Sequence, residues 1–155
     1  MVSEAMSLPG SLAAIQPATW RDLNSLRQLE RVCFPRDAWP LLELVGVLTL
    51  PNVVRLKAEA DSQLVGFIAG DVRSAEHLAW IATIGVLPDY RGRGIGRLLL
   101  EACEAQIHEP RVRLCVRVSN KTAIQLYLGS AYQRAGLWSN YYQDGEDALV
   151  MEKQL

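Results

Sequence analysis

The sequence predicts a single α/β domain, layered on one mixed sheet. Three observations lead there. A length of 155 residues suits one domain. Apolar residues recur at helical period in some stretches and at strand period in others. No linker is long enough to separate a second domain from the first. Apolar residues make up 50% and charged residues 21%, which excludes wholesale disorder. No stretch approaches the roughly 18 uncharged apolar residues of a spanning helix, so no membrane partner is expected. Sixteen basic against seventeen acidic side chains give net −1. A polyanion binder carries a basic excess, so no nucleic-acid partner is expected. Cys33, Cys103 and Cys115 are odd in number, widely spaced and without a C-x-x-C pair. They fit neither a disulfide framework nor a zinc site, and are read as buried thiols with no metal. The opening MVSEAMSLPGSLAA lacks the basic-then-apolar order of a secretion signal, so a cytoplasmic location is expected.

The elements follow in order. Residues 1–10 are read as a flexible tail, and 11–155 as the domain. Ser11–Pro17 is a short strand. Thr19 is the helix cap for a stripe at Leu23, Leu26, Leu29 and Val32 or Cys33, ended by Phe34-Pro35. Leu41–Leu50 is a second short helix, closed by Pro51-Asn52. Val53–Ala60, the turn Asp61-Ser62 and Leu64–Val72 form a hairpin. His77–Leu87 is apolar enough to be a central strand. From Ile95 a helix buries Ile95, Leu98, Leu99, Ala102, Cys103 and Ile107, and turns Arg97, Glu101, Glu104 and His108 outward. Val112–Val118 alternates as a strand. Asn120 caps a helix bearing Ile124, Tyr127 and Leu128. Strands near Tyr132–Leu137 and Asp147–Lys153 close the chain around a polar loop.

The densest chemical signal is Val86-Leu87-Pro88-Asp89-Tyr90-Arg91-Gly92-Arg93-Gly94-Ile95-Gly96-Arg97. A strand ends, glycines turn the chain and a helix begins. Glycine lets the backbone approach a ligand, and the first amides of a helix lack partners within it. With the helix dipole they form a phosphate site. Arg91, Arg93 and Arg97 add charge there, and residues 91–121 hold seven basic and three acidic side chains. An ATP-type loop needs Gly-x-x-x-x-Gly-Lys-Ser/Thr, whose Lys and Ser/Thr are absent. A dinucleotide fingerprint needs glycine where Arg97 or Leu99 stands. Gln/Arg-x-x-Gly-x-Gly is satisfied by Arg91, Gly94 and Gly96, after Val-x-Pro.

On these residues the chain resembles the GCN5-related N-acetyltransferase (GNAT) family. The segment Val116-Arg117-Val118-Ser119-Asn120-Lys121-Thr122-Ala123-Ile124-Gln125-Leu126-Tyr127 is similar to the V-R-x-S-N-x-x-A-I-x-L-Y run of its ribosomal-protein alanine and protein N-terminal acetyltransferase branch. Phe34-Pro35, Asn140-Tyr141-Tyr142 and Glu146–Met151 resemble that branch too. The resemblance implies a central, mostly antiparallel sheet flanked by helices, with acetyl-CoA as co-substrate and no metal. It implies a ternary complex in which an acceptor peptide N-terminus, or a small amine, attacks directly. Arg91, Gly92, Arg93, Gly94, Ile95, Gly96 and Arg97 would hold the pyrophosphate. Ile84, Gly85, Val86 and Asn120 would meet the pantetheine arm. Tyr127 would protonate the departing thiolate, while Phe34, Pro35, Tyr141 and Tyr142 would grip the acceptor. A monomer or homodimer is expected.

One position departs from the pattern. Where the branch carries glutamate or histidine as base, this chain has Cys115, and Trp80 stands where some relatives carry a second, tyrosine base. A thiol near pKa 8.5 is a poor base at pH 7. Water held by Glu76, His77 or backbone carbonyls is a further route. His77 is otherwise an edge residue of its strand. A non-catalytic acyl-CoA-binding module is the alternative from another class.

Overall fold

In the computed structural model the described residues are 13–155 together with the backbone of Met6–Ser7. The remainder of the expected tail, and Ser11 and Leu12 of the expected first strand, lie outside them. Met6–Ser7 (β1) pairs antiparallel with Ala14–Pro17 (β2). Thr19 does cap, but what it caps is a single tight turn, Trp20–Asp22. Its hydroxyl accepts from the Arg21 N–H, and its own N–H donates to Asp22 at 2.8 Å. The chain runs on into Leu23–Cys33 (α1), then Leu41–Thr49 (α2).

Val53–Ala60 (β3) and Gln63–Arg73 (β4) form the expected hairpin. Asp61 and Ser62 sit at φ 51° and 60°, the two left-handed residues whose twist matches that of the flanking strands. Leu78–Val86 (β5) follows. His77 is not part of that strand: at φ 55° it closes a short turn, Ser74–Glu76, and lies exposed. The apolar pattern begins only at Leu78, so the strand starts one residue later than expected.

Ile95–Ala105 (α3), Arg111–Arg117 (β6), Lys121–Gly129 (α4), Gln133–Trp138 (β7) and Ala148–Gln154 (β8) complete the chain. Among the described residues the strands form one sheet in the order β1-β2-β3-β4-β5-β6-β8-β7. Every pairing is antiparallel except β5 with β6. A parallel neighbour needs a crossover, which α3 supplies.

The helices bury opposite faces of this sheet. Leu26, Leu29, Leu44 and Leu48 of α1 and α2 pack with Phe67 and Ala69. Leu98, Leu99, Ile124 and Tyr127 of α3 and α4 pack with Val65, Ile68, Ala79 and Leu114. Gly85 is a contact point on the α1 side: a Cβ there would stand 3.3 Å from atoms of Leu29, Cys33 and Phe34. Glu104 differs from its expected outward position. It is 9% exposed, accepting from Lys153 of β8 at 2.8 Å. A side chain of β8 reaches α3 as well as those of the central strands, so the buried arc of the helix is wider than one stripe. Among the described residues no helix is long and apolar enough to cross a membrane.

Candidate active site

The site begins as a defect in the sheet. Strands β5 and β6 pair only at Ala79–Val112 and Trp80–Arg113. Immediately beyond, β5 carries one extra residue: Thr83 opposes Ala69 and Ile81 opposes Gly70, so Ala82 has no partner on β4. Such a bulge bends its strand and re-aims the side chains around it. A cleft of about 190 Å³ opens where the two strands diverge. One face of the sheet contributes Asn120, Ala123 and Tyr127 to its walls; the other contributes Glu30, Phe34, Asp37 and Tyr142.

The glycine loop stands at one end of β5. Gly94 is the N-cap of α3 at φ 81°, and Gly92 sits at φ 75°. A Cβ at either would meet nothing within 4 Å, so the bare backbone there faces open space. At Gly96 a Cβ would meet Leu126 Cδ2 of α4 at 3.2 Å, so the missing side chain there serves helix contact. The first amide bonded within α3 is that of Leu98, to the Gly94 carbonyl at 3.0 Å. The amides of Ile95, Gly96 and Arg97 precede it and carry the positive end of the helix dipole.

The three arginines brace this turn. Arg91 Nε donates to the Val86 carbonyl at 2.8 Å, and Arg93 donates to the Asp89 carbonyl at 3.0 Å while lying over the Tyr90 ring. Arg97 donates to the Gly129 carbonyl at 2.8 Å, at the negative end of α4. Each spends one donor on the fold and keeps others at an exposed surface. Open glycines, leading amides and guanidinium groups together suit a diphosphate. Val86 is partly committed already, because its carbonyl also accepts from the Cys33 thiol.

Asn120 caps α4, its side-chain oxygen accepting from the Ala123 N–H at 3.2 Å. Tyr127 is 6% exposed and lines the cleft. Among the described residues its hydroxyl has no hydrogen-bond partner. Burial, reinforced by nearby Tyr142, pushes its pKa well above the ordinary phenol value, so the proton stays on. Cys115 also lines the cleft, and burial raises its thiol pKa, which keeps it protonated at neutral pH.

On the opposite face Phe34 and Tyr142 line the cleft, whereas Pro35 and Tyr141 do not. Tyr141 instead continues a chain of rings, Trp80–Trp138–Tyr141–Tyr142, with centroids 5.7, 5.5 and 5.0 Å apart. Glu76 and His77 do not line the cleft either. Among the described residues no group of three or more His, Cys, Asp or Glu could hold a metal ion.

Two features of this face had no expectation attached. The first is a clamp on Arg117. Its guanidinium makes a two-point contact with Asp37 at 2.8 and 2.9 Å, and reaches Glu146 at 2.8 Å and Asp144 at 2.9 Å. The Tyr142 ring lies 4.1 Å away. Burial opposes the arginine's charge, but Glu146, Asp37 and Asp144 outweigh it. The clamp ties the loop after α1 to the loop before β8. Arg117→Met is expected to lower the unfolding midpoint by about 4–8 °C by leaving Asp37 and Glu146 without their cation, while Asp144 keeps Arg36 at 3.0 Å. Hydrogen bonds from Ser119 and Arg117 depress Glu146, and those from the Glu146 N–H and Arg117 depress Asp144. For acids with depressed values the stabilisation is complete above the ordinary carboxylate range and lost as pH falls through the lowered values. The deficit of the variant should therefore shrink below about pH 4 in thermal melts.

The second is Glu30. It falls on the buried stripe of α1 at 1% exposure. One oxygen accepts from the Thr83 hydroxyl at 3.0 Å, and the other has no hydrogen-bond partner among the described residues. Its signal was present in the sequence: Glu30 lies four residues after Leu26 and seven after Leu23, an acid on the apolar arc.

Antiparallel strands, one parallel step opening a cleft, and a glycine–arginine turn heading a helix together make a candidate group-transfer site. The profile of the acetyltransferase (GNAT) family matches residues 20–129, and the chain belongs to that family. It is an acetyltransferase. Over 143 residues it is 36% identical to the putative ribosomal protein bS18-alanine N-acetyltransferase of Bacillus subtilis, covering 90% of this chain and 93% of that one. Over 139 residues it is 34% identical to the N-alpha-acetyltransferase RimI of Mycobacterium tuberculosis, covering 87% and 88%. Among solved structures, the ribosomal-protein-S18-alanine N-acetyltransferase of Escherichia coli superposes with a TM-score of 0.81 at 26% identity, over 92% of this chain and 93% of that one.

Proposed function

We propose that the protein moves the acetyl group of acetyl-CoA onto the α-amine of a protein N-terminus, by direct attack in a ternary complex. The observation that carries this reading is the cleft between β5 and β6. It joins Asn120 and Tyr127 on one face of the sheet to Glu30, Phe34, Asp37 and Tyr142 on the other, and the glycine loop follows the same strand, β5. The relatives named for N-terminal or ribosomal-protein-alanine acetylation support the choice of acceptor.

In this reading the glycine loop and its arginines hold the diphosphate. Backbone groups of Ile84–Val86 and the free amide nitrogen of Asn120 meet the pantetheine arm, and a β5 amide polarises the thioester carbonyl as charge develops on its oxygen. The amine attacks from the side of Phe34 and Tyr142, and Tyr127 gives its proton to the sulfur as the C–S bond breaks.

The missing base at Cys115 bears on the acceptor. An α-amine with pKa about 7.7–8.0 is roughly one-tenth neutral at pH 7, and a lysine amine at about 10.4 only about 0.04% neutral. The free-amine fraction alone therefore favours the α-amine by about 250-fold. The test is CoA release on a panel: peptides with free N-termini, the same peptides N-blocked but bearing lysine, and small amines. The free N-termini are expected to exceed the lysine peptides at least 100-fold in kcat/KM at pH 7. Transfer confined to small amines would overturn the reading.

A further inference from the structure

We propose that Glu30 and Thr83 are the proton-accepting pair of the cleft: the Thr83 hydroxyl receives a hydrogen from the incoming amine and passes its own to the Glu30 carboxylate. This rests on the acetyl-transfer reading of the cleft and supplies the base that Cys115 leaves missing.

Placement comes first. Thr83 directly follows the bulged Ala82, and both Thr83 and Glu30 line the cleft on the face opposite Tyr127. Proton acceptor and proton donor therefore flank the point where the strands diverge.

Hydrogen-bond capacity comes second. The hydrogen of Thr83 is committed to Glu30. What the hydroxyl has left for a ligand is lone pairs, so it can only accept. An N–H donor satisfies it and a carbonyl does not. The second Glu30 oxygen is buried and unpaired, and the nearby Trp39 N–H only moderates the carboxyl without satisfying that atom.

Energetics come third. A buried carboxylate with one oxygen unpaired and, among the described residues, no cation opposes folding when ionised.

The charged and titratable neighbours leave Glu30 as the group able to act. Cys33, on the same helix, is raised by burial. Across the cleft, Asp37 is bound to Arg117, whose charge is absorbed by Asp37, Asp144 and Glu146. Cys115 and Tyr142 are both raised by burial, the latter to about 12. Burial likewise raises Glu30, outweighing the hydrogen bonds from Thr83 and the Trp39 N–H, which makes it a stronger base than an exposed carboxylate.

The step balances. An N–H bond of the ammonium breaks, its proton goes to Thr83 Oγ1, and the Thr83 hydrogen goes to Glu30. The nitrogen lone pair then forms the C–N bond while the C–S bond breaks. The sulfur takes the proton of Tyr127, which is restored through solvent by the surplus proton on nitrogen. Glu30 loses its proton to solvent, so one proton is released per turnover.

The test compares Glu30→Gln, Thr83→Val, Thr83→Ser and the Gln/Val double variant on whichever amine the wild type turns over fastest, alongside calorimetric acetyl-CoA affinity. Glutamine keeps the size and the oxygen that accepts from Thr83, so a purely structural Glu30 would lose little by it. The expected result is a loss of about 100-fold in kcat for Glu30→Gln and for Thr83→Val. The double variant is expected to be no worse than either single. Thr83→Ser should restore most of the rate lost in Thr83→Val. The acid limb of kcat/KM should move up to the pKa of the amine itself, with acetyl-CoA affinity within twofold of wild type.

A second readout does not use activity. A carboxyl raised on folding contributes favourably at low pH, and that contribution is lost as pH rises through the raised value. Glu30→Gln should therefore melt higher, relative to wild type, at pH 8 than at pH 5. A Glu30→Gln enzyme within threefold of wild-type kcat with an unchanged acid limb overturns the proposal, as does a melting difference independent of pH. Transfer to small amines alone would overturn the N-terminal acceptor, while the same rate ratio on those amines still decides the role of Glu30.

Discussion

Gly94→Val is expected to weaken acetyl-CoA binding by at least 100-fold while the protein stays folded. Two physical terms separate here. At φ 81° a β-branched L-residue is strained, at a cost of about 1–2 kcal/mol. The new Cβ would nevertheless have open space, since among the described residues nothing lies within 4 Å of it. The fold therefore loses a little stability, and what is filled is the space in which the leading amides of α3 would meet a diphosphate. Calorimetry with acetyl-CoA and a thermal melt read the two terms apart. Gly96→Ala is the contrast: its methyl meets the flexible end of Leu126, so a few-fold change in affinity and a small shift in melting are expected. Undiminished binding by Gly94→Val would mean that this turn is not the phosphate cradle.

Tyr127→Phe is expected to lower kcat by about 100-fold, with the KM for both substrates within about threefold. The phenol occupies a buried position in the cleft wall, and among the described residues its hydroxyl bonds to nothing. Burial keeps it protonated, which an acid must be before it can give a proton to a thiolate of ordinary pKa about 8.5. The same isolation predicts the stability outcome. Removing a hydroxyl without a partner breaks no hydrogen bond, so the variant should melt within about 2 °C of wild type or slightly above it. A kcat within threefold of wild type would make Tyr127 a packing residue against Ile124 and Tyr132.

Much of this architecture was legible because it is local. The stripe at Leu98 and Leu99, the alternation of Val112–Val118 and the cap at Asn120 each depend on residues a few places apart. Their bounds came within a residue or two of those observed. The glycine–arginine turn was legible for the same reason, since strand end, turn and helix start are contiguous.

Other features needed the folded chain. Glu104 reads as outward by period, and is covered because Lys153, some fifty residues later, arrives on β8. The Arg117 clamp joins residues 80 apart in the case of Asp37. Trp80 reads as a substitute at a catalytic position, and is found instead against Trp138 on β7.

What the sequence by itself determined is the order and kind of the elements and the presence of an anion-binding helix start, because period and turn chemistry are written in neighbouring residues. What only the tertiary structure decided is the cleft: the two-pair contact of β5 with β6, the unpaired Ala82 and the meeting of Glu30 with Thr83. Register between distant strands is set by the packing of whole faces, and no short stretch of chain carries it.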